Sequence, residues 1–117
     1  MNSSAIIISV PLQLVAHSRA GDKGNRSNLS LIPYRPEVYP YLVQQISGQT
    51  VLTLLAHKKA SSVIRYELPN LPALNFVIEN ALEGGVNDGL GLDGHGKTLS
   101  SLLLTLPLKL PSDLVGR

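Results

Sequence analysis

The stretch "RYELPNLPALNFVIENALEGG", residues 65–85, changes its hydrophobic period part-way along. Read together with the residues before it, "SVIRYELP" (62–69) alternates. Ile64, Tyr66 and Leu68 point one way and Val63, Arg65 and Glu67 the other, which is the period of a strand. After Pro72 the pattern shifts. Leu74, Val77, Ile78, Ala81 and Leu82 follow the i, i+3, i+4 spacing of an amphipathic helix. Asn70 is placed to cap that helix, and Gly84 and Gly85 to stop it. A strand running into a helix here, without regular alternation elsewhere, predicts an α+β chain.

Working outward, "RPEVYPYLVQQIS" (35–47) predicts a helix with Pro36 and Pro40 in its first turn and an apolar stripe of Tyr39, Leu42, Val43 and Ile46. Gly48 is expected to end it, and Thr50 to cap a second helix, "VLTLLAHKK". Towards the N-terminus, "LQLVAHSR" (12–19) and "SNLSLIP" (27–33) read as strands, joined either as a hairpin with a long loop or by a crossover. Towards the C-terminus, "VNDGLGLDGHGK" (86–97) offers a glycine-rich strand and a turn at Asp93 and Gly94. "KTLSSLLL" (97–104) reads as a last helix. The expected division is a leader or edge strand over 1–11, a domain over 12–106 and a tail over 107–117, irregular or edge strand because of Pro107 and Pro111.

A chain of 117 residues with 44% apolar and 15% charged residues fits one folded domain. Its only aromatics are Tyr34, Tyr39, Tyr41, Tyr66 and Phe76, so the core must be built from Leu, Val, Ile and Ala. So low a charged fraction on a small chain leaves apolar surface to be covered, and an oligomer or a larger partner is expected. A net charge of +2, with Lys58 and Lys59 the most basic pair, argues against a nucleic-acid partner. The absence of cysteine rules out disulfides and agrees with a reducing cytoplasm, the expected location. "AIIISV" (5–10) is far shorter than the roughly 20 residues of a membrane span. It follows no basic segment, so neither a membrane anchor nor a signal peptide is expected.

The most polar segment is "HSRAGDKGNRSN" (17–28). Gly21 and Gly24 permit close approach to the main chain, and Arg19, Lys23 and Arg26 surround them, a composition suited to an oxyanion, carboxylate or phosphate. The spacing is not that of a phosphate-binding P-loop, and a solvated turn is the plain alternative. Asp22 beside Lys23 admits acid–base chemistry, against a turn-forming Asp. His17 reads as a strand residue, and Ser18 and Ser27 form no ordered nucleophile set. His57 and His95 have no metal-ligand spacing, so no metal and no cofactor is expected. Arg65 and Glu67 share a strand face, as a surface ion pair or as site residues. Asn75, one helical turn from Glu79 in the predicted helix, is either a structural bridge or a substrate contact. Residues 89–96, four of them glycine, read as a tight bend rather than a lid.

Taken together, "AHSRAGDKGNRSNLSLI", "RYELPNLPALNFVIENALEGG" and "LDGHGK" resemble the AtuA-like ferredoxin-fold domain, found at the C-terminus of acyclic terpene utilisation protein A and its relatives or as a small separate protein. The likeness runs from about residue 12 to about residue 104. The family pattern RSGDKG, an acid, then an Asn, is matched at Arg19, Gly21, Asp22, Lys23, Gly24 and Asn28, and departs at Ala20 and Asn25. The resemblance implies a ferredoxin-like two-layer sandwich, with helices on one face of a mainly antiparallel sheet. It also implies a larger AtuA-type subunit as partner, alone or beside a homo-oligomer, in the breakdown of branched or terpenoid acids carried as coenzyme A thioesters. The expected role is a small subunit or accessory domain, inactive alone, lending an anion-binding loop to a site for an organic acid or CoA thioester. The alternatives are a self-contained small lyase or hydratase and a purely structural interaction protein. Asp22 and Lys23 are the catalytic candidates. Arg19, Gly21, Gly24, Asn28, Arg65, Glu67 and Asn75 are the candidate substrate- and anion-binding residues.

Overall fold

A computed structural model describes residues 6–23, 26–56, 60–80 and 99–115, with the main chain alone at Asp22 and Lys23. Its strands are β1 (Ile7–Pro11), β2 (Ala16–Lys23), β3 (Arg26–Pro33), β4 (Ser62–Glu67), β5 (Leu74–Glu79) and β6 (Pro107–Pro111). Its α-helices are α1 (Tyr39–Gln45), α2 (Gly48–Leu54) and α3 (Leu99–Leu103). Strands β2–β3–β5–β4 form an antiparallel four-stranded sheet, and β1 and β6 form a separate antiparallel ribbon.

One side of the sheet carries the core. Leu29 and Leu31 of β3 and Leu74, Phe76 and Ile78 of β5 are fully buried. They share one cluster with Leu42, Ile46, Val51, Leu55, Leu99 and Leu103 from the helical segments and Leu108 and Leu110 from the ribbon. The helices therefore cover a single face, the expected α+β sandwich. The apolar pattern makes this arrangement favourable, since each fully buried Leu or Phe side chain is worth about 1.5–3 kcal/mol relative to exposure.

Three local expectations are overturned. The helix predicted over 71–85 is strand β5 where the structure describes it. Leu74, Phe76 and Ile78 repeat every second residue as well as Leu74, Val77 and Ile78 satisfy a helix, and a short apolar run cannot separate the two periods. Pairing with a neighbour on each side decides it, and the run Phe76-Val77-Ile78 suits a sheet. Asn70 lies in the bend between β4 and β5 and caps nothing; Gly84 and Gly85 fall outside the described residues. Second, Leu12–Leu14 is a 3-10 turn, not strand, so Leu12 and Val15 can both be buried. Third, the cap of α2 is Ser47, whose Oγ accepts the Thr50 N–H at 3.1 Å, and Gly48 begins that helix. A methyl group at Gly48 would stand 3.2 Å from the Val63 carbonyl oxygen, so glycine lets α2 approach β4 closely.

Besides burying Leu108 and Leu110 in the shared core, the ribbon is held to the body by a side-chain clamp. The Gln45 Nε2 donates to the Lys109 carbonyl at 2.8 Å, and the Lys109 N–H donates to Gln45 Oε1 at 2.9 Å. The amide at the end of α1 thus occupies the place of a neighbouring strand on the open side of β6. Gln45→Ala is expected to cost about 1 kcal/mol, since each net bond is worth roughly 0.5–1.5 kcal/mol and water can reach the freed groups. A lower urea midpoint with an unchanged m value is the checking measurement.

Candidate functional site

The polar stretch 17–28 is not a long loop. It is most of a hairpin, paired without interruption from Ala16↔Pro33 to Lys23↔Arg26. Along an extended strand successive main-chain groups point to alternate sides. The amides of residues 19–23 therefore do not converge on one side, and the described part of the hairpin offers a row of side chains, while Gly24 and Asn25 of the expected anion-binding stretch lie outside the described residues.

Directly opposed residues in an antiparallel pair share a face. The register aligns Arg19, Ser30, Asn75 and Tyr66 across the four strands, and beside them Gly21, Asn28, Val77 and Ile64. This is the face away from the helices. Ile64 and Tyr66 are 51% and 49% exposed there. Asn28 and Arg19 are also exposed. The Arg19 N–H donates to Ser30 Oγ at 3.1 Å, fixing that row. The Asn28 side chain lies beside Gly21, and a methyl group placed at Gly21 would be 3.6 Å from Asn28 Oδ1. Gly21 thus leaves space on the sheet surface but is not required by backbone strain. At the margin, Arg26 Nε donates to Glu79 Oε2 at 2.7 Å. That pair is solvent-facing and worth about 0–1 kcal/mol.

The site candidates therefore divide. Arg19, Gly21, Asn28 and Asn75 come together on the open face. Arg65 and Glu67, on alternate positions of β4, belong to the helix side. Arg65 Nη1 donates to the carbonyls of Val43, at 2.8 Å, and Ile46, at 3.1 Å, where α1 ends. Its Nη2 reaches Glu67 Oε2 at 3.4 Å. A cation on the last carbonyls of a helix is favourable, and here it fastens α1 to β4. The Tyr39 hydroxyl joins this group. Burial raises its pKa above 10.0, Glu67 adds to the rise, and Arg65 opposes it. Asp22 stands opposite the buried Ser27 and Lys23 opposite Arg26 in the hairpin. Gly24, His57, His95 and residues 86–97 lie outside the described residues. His17 stacks on Tyr34 with ring centres 5.5 Å apart.

The open face combines a guanidinium with two carboxamides, beside the apolar surfaces of Ile64, Val77 and Tyr66. Such a set can hold a carboxylate or phosphate through a planar fork, accept or donate to a carbonyl or hydroxyl, and cover an alkyl chain. Sequence reasoning missed the apolar half of this surface. Ile64 and Tyr66 were identifiable as a strand face, but nothing in their spacing said that it is the uncovered one. It also missed a shallow groove of about 350 Å³ on the helix side, lined by Gln49, Thr50, Thr53, Leu54 and Leu106.

No helix among the described residues is long and apolar enough to cross a membrane. The family model described as the AtuA ferredoxin-like domain matches residues 10–109. Neither a curated protein nor a solved structure matches the chain.

Proposed function

Because the chain belongs to the AtuA ferredoxin-like domain family, we propose that it acts as an accessory domain of a larger AtuA-type chain, its open sheet face completing a site for an organic acid or CoA thioester. One observation carries this reading. Strand register brings Arg19, Gly21, Asn28 and Asn75, distant in sequence, into adjacent rows of one uncovered face. A two-layer sandwich with half-exposed Ile64 and Tyr66 on that face leaves apolar area for another chain to cover. Arg19 supplies the charge-assisted contact to a carboxylate or phosphate, and Asn28 and Asn75 set its orientation. At the hairpin end the register puts Lys23, paired with Arg26, on the same face as these rows and Asp22, paired with the buried Ser27, on the opposite one. Within this reading Lys23 is the candidate for a second contact to the anion, and Asp22 is reserved for the lyase or hydratase alternative.

The test is an NMR titration of the purified chain with a branched acyl-CoA, repeated with the large AtuA-type chain present. Shifts confined to the Asn28 and Asn75 side-chain amides and the Tyr66 ring, with affinity reduced about tenfold or more in Arg19→Ala, are expected. Gly21→Ala, which fits the fold, is expected to weaken binding without lowering stability. Shifts confined to the helix side would overturn the proposal. Turnover by the chain alone, lost in Asp22→Asn, would replace it with the lyase or hydratase reading.

A further inference from the structure

Strand β1, with the sequence IISVP, carries no charged residue, unlike every other described strand. Its inner side is paired with β6. The Ser112 N–H donates to the Ile6 carbonyl and the Leu12 N–H to the Leu106 carbonyl, each at 2.8 Å, so even-numbered residues face β6. Ser9 lies opposite Lys109, whose main-chain groups are turned the other way and held by Gln45. It follows that the N–H and C=O of Ile7 and Ser9 point away from β6. Among the described residues they meet no main-chain partner. Ile6 and Ile7 beside them are 67% and 59% exposed.

Proteins usually blunt such edges with charge, proline or a covering group. Here β2 carries Arg19, Asp22 and Lys23, β4 carries Arg65 and Glu67, and β6 carries Lys109 beneath the Gln45 clamp. β1 has none of these before Pro11. We infer that β1 pairs with β1 of a second copy, antiparallel about a twofold axis at Ile8. Ile7 of each copy then faces Ser9 of the other, and each of those residues uses its outward N–H and C=O, giving four hydrogen bonds. Pro11, with no N–H to give, lies beyond the bonded pairs. No like charges meet, because the edge has none. The resulting four-stranded ribbon ends on β6 at both sides, where Gln45 already fills the edge, so the assembly closes as a dimer and does not grow. This inference stands apart from the open sheet face.

A five-residue edge covers less than the roughly 1,200–2,000 Å² of a standard stable complex, so dimerisation is concentration-dependent. Sedimentation of the full chain from low micromolar to near-millimolar concentration is expected to show a reversible monomer–dimer equilibrium. The Ser9 amide is expected to gain protection from hydrogen exchange as concentration rises. Ser9→Pro removes one outward N–H from each copy, and Ile7→Lys sets like charges beside the axis; each should shift the equilibrium about tenfold or more towards monomer. Tyr66→Glu, on the open sheet face, should leave it unchanged. A wild-type chain that stays monomeric throughout, a dimer retained in Ser9→Pro and Ile7→Lys alike, a dimer lost in Tyr66→Glu, or open-ended growth would each overturn the inference.

Discussion

Phe76→Ala is expected to lower the unfolding free energy by about 3–5 kcal/mol, the range for emptying a buried aromatic site. Phe76 is fully buried on β5 and stands between Leu29 and Arg65 in the register. Small domains hold only about 5–15 kcal/mol in total, so this one change removes a large share of the stability. Urea unfolding followed by circular dichroism measures it. Val77→Ala, one residue along on the open face, should cost far less. The comparison is discriminating because the two periods rank these residues oppositely. In a helix over 71–85, Val77 would share the buried stripe with Leu74 and Ile78, and Phe76 would stand beside it. Equal or reversed costs would remove β5 from the fold.

Arg65→Met carries the second largest effect. The substitution keeps an apolar stem but withdraws the donors from the Val43 and Ile46 carbonyls. Hydrogen bonds to charged groups are worth about 1.5–3 kcal/mol, and a loss of that size is expected. Tyr39 supplies an independent readout. Its folded pKa lies above the ordinary 10.0, first from burial and then from Glu67. The neutral phenol is therefore favoured by folding. That contribution is fully present below the unfolded value and is lost as pH rises through the raised folded value. Arg65→Met removes the one opposing influence, so the Tyr39 pKa should climb further and the loss should move to higher pH. Glu67→Gln should bring both back down. An NMR titration of the Tyr39 ring that is indifferent to both substitutions would separate Tyr39 from the Arg65–Glu67 pair.

Local chemistry was legible where one residue sufficed to set it. Pro40 placed the start of α1, although Pro36, expected in the same first turn, instead opens a 3-10 turn (Pro36–Val38) that leads into it, and the alternation of Val63 to Glu67 placed β4. The polar stretch 17–28 was recognisable as a functional candidate by composition. Its shape was not, because Arg19, Asp22 and Lys23 are as compatible with a paired edge strand as with a solvated loop. β5 failed for a related reason, since its apolar positions fit two periods and only the neighbours β3 and β4 choose between them. Arg65 was visible as a charged strand residue, but its partners are main-chain carbonyls more than eighteen residues away. No pattern of side chains announces an acceptor on the backbone. The gathering of Arg19, Asn28 and Asn75 depends wholly on strand order, and one sequence does not supply strand order.

The pairing of β3 with β5 also bears on how the chain folds. Each of the hairpins β2–β3 and β4–β5 joins segments close in sequence and can zip from its own turn. The seam between them closes only after the whole α1–α2 segment has been drawn into place, and the entropy of that closure falls on the transition state. Truncations at Leu31 and Leu74, which face each other across the seam, should therefore slow refolding, whereas Val63 and Ile64, on the outer strand β4, should chiefly alter the unfolding limb.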